Sequence, residues 1–177
     1  MALDGNKDCG GIVTFNYFSG EPVAKLTSGR PLLTRTENAD FNLANFMRAQ
    51  IYSTMAVLKI GMEILENENV EIDTLMGHGG LFKTELVGQK LMAGAMNTPV
   101  AVMETAGEGG AWGIAILAKY AADHTDEPLE DYLDNRVFSK YKSSVVQPDS
   151  GDVKGFADYM KLYKKALSVE ESAVKNI

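Results

Sequence analysis

The chain has 177 residues, 45% of them hydrophobic and 23% charged, which fits one folded domain with a core that needs no disulfide or metal support. Its net charge of −7 argues against a nonspecific nucleic-acid surface or an anionic-membrane surface, because each would need a basic patch. The single cysteine, Cys9, excludes an intramolecular disulfide; it reads as an ordinary free thiol in a reducing, cytoplasmic setting.

No apolar run approaches the ~20 residues of a membrane span. Met1 to Asp8 lacks the basic-then-apolar pattern of a secretory signal. Met1 to Gly11 is polar and glycine-rich and reads as a loop. Gly11 to Phe18 is rich in β-branched and aromatic residues and predicts a strand, closed by a turn at Ser19-Gly20-Glu21-Pro22. A short extended piece is expected near Pro31-Leu32-Leu33.

Asn38 or Asp40 is placed to cap a long helix. Ala44, Met47, Ile51, Met55, Leu58, Met62 and Leu65 recur at intervals of three and four, so they predict its buried face. Arg48 lies off that stripe and reads as solvated or salt-bridged.

The region from Ile72 to Tyr120 organises the chain. An apolar strand over Val70 to Met76 breaks into Gly77-His78-Gly79-Gly80, and a helical pattern opens at about Leu81. In that helix Leu86, Val87, Leu91 and Met92 point inward, with Gln89 and Lys90 outside. A second apolar strand, Pro99 to Met103, runs into Gly107-Glu108-Gly109-Gly110 and a helix through Trp112, Ile116 and Tyr120. The small residues Ala111, Ala115 and Ala118 are expected to let that helix sit close on the sheet. Both glycine turns then fall at carboxyl ends of strands, where open α/β sheets bind ligands. Glycine permits a positive φ and a close approach of ligand to backbone, and a helix start favours an anion such as phosphate. The first cluster alone is better explained as a tight strand-to-helix connection; two such turns in consecutive strand–helix units shift the balance toward a nucleotide site without settling it.

A short helix is expected from Pro128 to about Asn135, an edge strand or loop within Val137 to Val146, and a turn at Pro148 to Gly151. Asp152 starts a terminal helix with Phe156, Tyr159, Met160 and Tyr163 on one side, and Ser168 onward reads as a charged tail.

The chemistry is incomplete. Asp73 reads as a surface carboxylate beside the turn. Glu104 and Glu108 bracket the second turn and could orient a ribose or cap a helix. His78 could bond backbone or phosphate, Lys83 would gain a reason for its place from an anionic ligand, and His124 reads as a surface residue. There is no Gly-x-Ser-x-Gly elbow, no Gly-x-x-x-x-Gly-Lys-Ser/Thr loop and no His/Cys cluster for zinc, so no catalytic or metal-ligating residue is assigned.

Taken in order, these segments resemble the FGGY family of carbohydrate kinases. Leu75-Met76-Gly77-His78-Gly79-Gly80-Leu81, followed by Gln89-Lys90-Leu91-Met92-Ala93 and Asn97-Thr98-Pro99-Val100, resembles its adenosine-phosphate segment. Glu104 to Tyr120 is similar to its next segment, Arg48-Ala49-Gln50 to its arginine-alanine helix, and Ser19-Gly20-Glu21-Pro22 to its glycine-glutamate turn. Val146-x-Pro148 with Tyr159 and Tyr163-Lys164 matches its closing helix. The family's triple glycine reads His78-Gly79-Gly80 here, and its following alanine is Leu81.

The resemblance implies an α/β fold: an actin-like ATPase (ribonuclease H-like) lobe, with a mixed, mostly parallel sheet flanked by helices. Residues 1–177 would be the carboxy-terminal lobe of a sugar kinase, with the sugar-binding lobe and the catalytic aspartate outside them. ATP with Mg2+ would be the cofactor, and Gly77, His78, Gly79, Gly80, Leu81, Lys83 and Thr84 would line its site. The sugar would be a pentulose, D-xylulose before L-ribulose, held through the other lobe, and the lobe alone would be inactive. A homodimer stays open. So do two other readings. One is a diverged protein-interaction module. The other is a Rossmann-like enzyme, disfavoured because the first turn is not Gly-x-Gly-x-x-Gly.

Overall fold

A computed structural model describes residues 1–123 and 126–177, with the side chain of Glu108 also outside the description. The surface reading of His124 and the side-chain roles of Glu108 therefore fall outside the described residues. Strand β1 (Ile12–Phe15) is buried along its whole length and pairs antiparallel with β2 (Leu32–Arg35). Helix α1 (Leu43–Asn67) follows. Then come β3 (Leu75–Gly77), α2 (Val87–Met96), β4 (Val100–Met103) and α3 (Gly109–Asp123). The chain closes with the short α4 (Leu129–Tyr132), β5 (Ser143–Val146) and α5 (Ser150–Asn176). The larger sheet has the order β3-β4-β5, with β3 parallel to β4 and β5 antiparallel to β4. Among the described residues no helix is long and apolar enough to cross a membrane.

The core lies between β1, α1, α2 and α5. Phe15, Tyr52, Phe156, Tyr159 and Tyr163 form a chain of ring contacts through it, with centroids 4.8–5.9 Å apart. The four inward residues expected of the terminal helix are all buried there. The hydroxyls of Tyr17 and Tyr163 share a short hydrogen bond. Burial pushes the Cys9 thiol well above its ordinary range, which fits an inert buried thiol.

Several local expectations are corrected. Asn42, rather than Asn38 or Asp40, caps α1, accepting from the Asn45 amide at 2.9 Å. The buried face of α1 is Asn45, Arg48, Ala49, Tyr52, Ser53, Met55 and Ala56, which shares Met55 with the expected stripe, while Ile51 and Met62 of that stripe pack half-buried against the core. Met47, Leu58 and Leu65 are exposed. A polar group can override hydrophobic periodicity when the fold supplies partners, and here it does. Arg48 is 0% exposed, pairs with Asp152 on α5, donates to the Gly5 carbonyl at 3.0 Å and to the Tyr52 hydroxyl at 3.0 Å. The salt-bridged reading of Arg48 holds and the solvated one does not. These bonds also anchor the amino-terminal loop, where Asn45 accepts from the Asn6 amide and Lys7 reaches Asp152 at 2.7 Å.

Strand β3 starts at Leu75, five residues later than expected, and no α-helix opens at Leu81. A 3-10 turn over Gly80–Phe82 comes first, and α2 begins only at Val87, after Leu86 in the left-handed region at φ 61°. Gln89 is buried rather than exposed, because its amide donates to the Val100 and Ser144 carbonyls at 2.8 and 2.9 Å and so ties α2 to two strands. Ala111, Ala115 and Ala118 are exposed, and no described side chain of α3 is buried, so the close packing expected of that helix is absent. Past α4 the helix widens into a π-type turn over Leu133–Val137. The last helix runs through the expected tail to Asn176, and Glu170 within it is fully buried, accepting from the Arg30 amide at 2.7 Å.

Candidate nucleotide site at the glycine turns

Strands β3 and β4 run parallel in the register Leu75↔Val100, Met76↔Ala101, Gly77↔Val102, so their carboxyl ends come out side by side. The two glycine turns, about thirty positions apart in sequence, therefore meet. The Gly79 amide donates to the Ala106 carbonyl at 2.8 Å, a direct backbone link between them. The His78 ring lies over Gly109, where a Cβ would come within 2.9 Å of Nδ1. The methylenes of Lys83 lie over Gly107, with a Cβ there 3.4 Å from Cε. Residues of the first turn thus rest on glycines of the second.

The glycines divide by what surrounds them. Gly77 is a packing glycine: the Phe82 ring fills the space its side chain would need, at 2.6 Å. Gly88 plays the same part for Leu81, whose Cγ would be 2.8 Å from a Cβ there. Leu81 is accordingly half-buried against the core and turned toward α2. Gly79 and Gly80 differ, since a Cβ at either meets open space, and Gly79 sits at φ 95°, where glycine is strongly favoured. Gly110 and Gly113 of α3 are open in the same way. His78, Gly80, Lys83 and Thr84 are exposed and Gly79 is half-exposed.

The first turn leads into a 3-10 turn, so it lacks the α-helix start expected behind it. At the second turn a 3-10 turn over Ala106–Glu108 also comes first, but it runs directly into α3 at Gly109, whose amide donates to the Ala106 carbonyl, so the amino-terminal end of that helical stretch lies beside His78. The arrangement offers bare backbone, a helix start and the cation of Lys83 on one rim, a set suited to an anionic, phosphate-like group. Two features escaped the sequence reading. One is the interlock of His78 and Lys83 with the second turn, which no local pattern encodes. The other is the opposite orientation of Leu81, for which Gly88 seven residues on was the available signal. Among the described residues no group of three or more His, Cys, Asp or Glu could hold a metal ion, so Asp73 and Glu104 join no ligand set.

Residues 1–122 match the FGGY family of carbohydrate kinases, C-terminal domain. The chain belongs to this family. A xylulose kinase of Haemophilus influenzae is 24% identical over 158 residues, covering 89% of this chain and 31% of that protein. A ligand-bound xylulose kinase from Lactobacillus acidophilus superposes with a TM-score of 0.71 at 16% identity, over 95% of this chain and 33% of that one. A Plasmodium falciparum glycerol kinase with ADP gives 0.67 at 18% identity, over 93% and 31%. These likenesses assign the FGGY domain its fold, the α/β actin-like ATPase fold. The chain spans about a third of the length of the relatives it matches.

Proposed function

We propose that this chain is the carboxy-terminal, nucleotide-side lobe of an ATP-dependent carbohydrate kinase that phosphorylates a pentulose. The observation that carries the reading is the meeting of two glycine turns at the carboxyl edge of the parallel pair, with Gly79 and Gly80 open on one side and α3 starting on the other. Family membership supports kinase chemistry with ATP. The xylulose kinases among the similar proteins favour D-xylulose over L-ribulose, while the glycerol kinase shows that the fold alone does not select the sugar.

In this reading Gly79 and Gly80 lie against the phosphates, with His78, Lys83 and Thr84 on the rim of the site. Gly77 and Leu81 support the turn from behind. The lobe contributes position and preorganised charge for in-line transfer of the γ-phosphoryl group to a sugar hydroxyl. Proton removal from that hydroxyl belongs to a carboxylate outside residues 1–177, and the lobe alone turns over no sugar. Magnesium ordinarily rides on nucleotide phosphates with one or two carboxylates. Among the described residues no group of three or more His, Cys, Asp or Glu could hold a metal ion by itself, and no step here is assigned to magnesium.

Equilibrium dialysis with MgATP tests the reading. A side chain at Gly80 meets nothing in the chain itself, so Gly80→Val should leave the unfolding midpoint unchanged and weaken ATP binding at least about tenfold, the ~1.4 kcal/mol equivalent of one lost close approach. Equal binding by both proteins would remove Gly80 from the site.

A further inference from the structure

Glu170 is a carboxylate that the nucleotide reading does not use. It lies 0% exposed on α5. One of its oxygens takes the Arg30 amide at 2.7 Å. The other, Oε2, is buried and meets no donor. The Arg30 guanidinium does not serve it, because that group turns back to the Gly29 carbonyl at 2.8 Å. Among the described residues no ion pair reaches Glu170. A buried charge served by a single amide is costly unless something neutralises it, and an orphaned buried oxygen calls for a ligand of its own.

More oxygen atoms stand close by. Gly29 directly precedes Arg30, and the carbonyl oxygens of Tyr17 and Ser19 come together over it, each 2.5 Å from the place of a Cβ. Neither accepts a hydrogen bond among the described residues. The loop that joins β1 to β2 carries both, and it folds back on itself through paired backbone bonds between Glu21 and Leu26 at 2.9 and 3.0 Å. Glu21 adds a second carboxylate to this corner, with one oxygen taking the Val23 amide at 3.0 Å. The neighbouring Tyr17 hydroxyl registers the negative charge. Burial raises it first, its bond with Tyr163 lowers it, and Glu21 and Glu170 raise it further.

We infer that Glu170 and the loop over residues 17–30 hold an alkali cation, K+ or Na+, with Glu170 Oε2 and the carbonyl oxygens of Tyr17 and Ser19 as its protein ligands. The donor set selects that class. Carbonyl oxygens replace the hydration shell of an alkali ion, and one buried carboxylate supplies the single charge that balances it. Ca2+ takes about six to eight oxygens, several of them from carboxylates. Zinc takes nitrogen and sulfur. Neither set is present here, since among the described residues no group of three or more His, Cys, Asp or Glu could hold a metal ion. Glu21 stays outside the ligand set, half-exposed and engaged by its own loop. The ion ties the last turns of α5 to a loop 140 positions earlier in the chain. It also gives a reason for the helical order of those turns, which composition alone marks as a charged tail.

The test uses the whole chain in chloride buffers of equal ionic strength that differ only in their cation. KCl or NaCl should raise the thermal unfolding midpoint above its value in tetramethylammonium chloride by at least about 3 °C, and the rise should saturate, because an ion that binds only the folded state stabilises it by mass action. Glu170→Gln keeps the size of the side chain and an acceptor for the Arg30 amide but removes the charge, so its midpoint should be the same in all three salts. Glu130→Gln, at an exposed carboxylate on α4, should keep the full response. Should Glu170→Gln fail to fold by circular dichroism, crystals of the unaltered chain grown in rubidium chloride decide the matter, with an anomalous peak expected beside Glu170 Oε2. Equal midpoints of the unaltered chain in the three salts, a response that survives in Glu170→Gln, or rubidium found only elsewhere would overturn the inference.

Discussion

Arg48 holds a full charge where no solvent reaches, and every structural role it plays follows from that. Asp152 neutralises it, Tyr52 and the Gly5 carbonyl take its hydrogens, and its guanidinium lies 5.1 Å from the centre of the Tyr52 ring. Burying an ion pair gains little net stability, but removing one member strands the other at a cost of about 3–5 kcal/mol. Arg48→Ala should therefore lower the urea-unfolding free energy by that amount and loosen the amino-terminal loop. Loss of under about 1 kcal/mol would mean that Asp152 is satisfied by Lys7 alone. Tyr52 makes a second residue-scale prediction. Burial raises its hydroxyl to about 12, against the favourable pull of Arg48. Its folded value is above the unfolded one, so the stabilisation is complete below about pH 10 and is lost as pH rises through 12. Tyr17 and Tyr163 shift in the same direction, again chiefly by burial. Between pH 9 and 11 the Tyr52 contribution falls by about 1 kcal/mol. Unfolding curves of Tyr52→Phe should lack that increment of pH dependence, and an unchanged slope would contradict it.

At the scale of elements, periodicity and glycine placement made most of the fold legible. Strands β1 and β4 could be read from their runs of apolar and β-branched residues, which are buried along nearly their whole length, and the aromatic face of α5 from its helical spacing. What spacing could not show was where a polar residue is buried by choice of partner. Arg48 and Gln89 look like surface residues in a linear pattern, and only their bonds to Asp152, Val100 and Ser144 explain their burial. The same limit applies to the site. The glycine clusters were visible, but the roles of Gly77 and Gly88 as seats for Phe82 and Leu81 depend on tertiary packing. Gln89 is the hinge of one element-scale prediction. Gln89→Leu removes donors from two carbonyls in β4 and β5, a cost of about 1–3 kcal/mol if they stay dry. Strand β5 is exposed along most of its length and should fray first. Amide exchange at Ser143 to Val146 should accelerate well before that of β4; uniform acceleration across both would show that Gln89 does not hold β5 in particular.

For the whole molecule, the two faces of the larger sheet tell different stories. One is packed by α2, which joins the sheet to the aromatic core that α2 shares with α1, α5 and β1. The other is open at α3, at an apolar cavity of about 760 Å³ lined by Met76, Met103 and Trp112 among others, and along β3. The two glycine turns lie at the carboxyl edge of this sheet, where, in the proposed function, closure over them would exclude water from the phosphates.

The most direct measurement is a titration of this chain with MgATP followed by backbone amide NMR. The account predicts saturable shifts centred on His78 to Thr84 and Gly107 to Ala111, moving together because Gly79 and Ala106 are bonded. A well-dispersed spectrum with no response at either turn would contradict it.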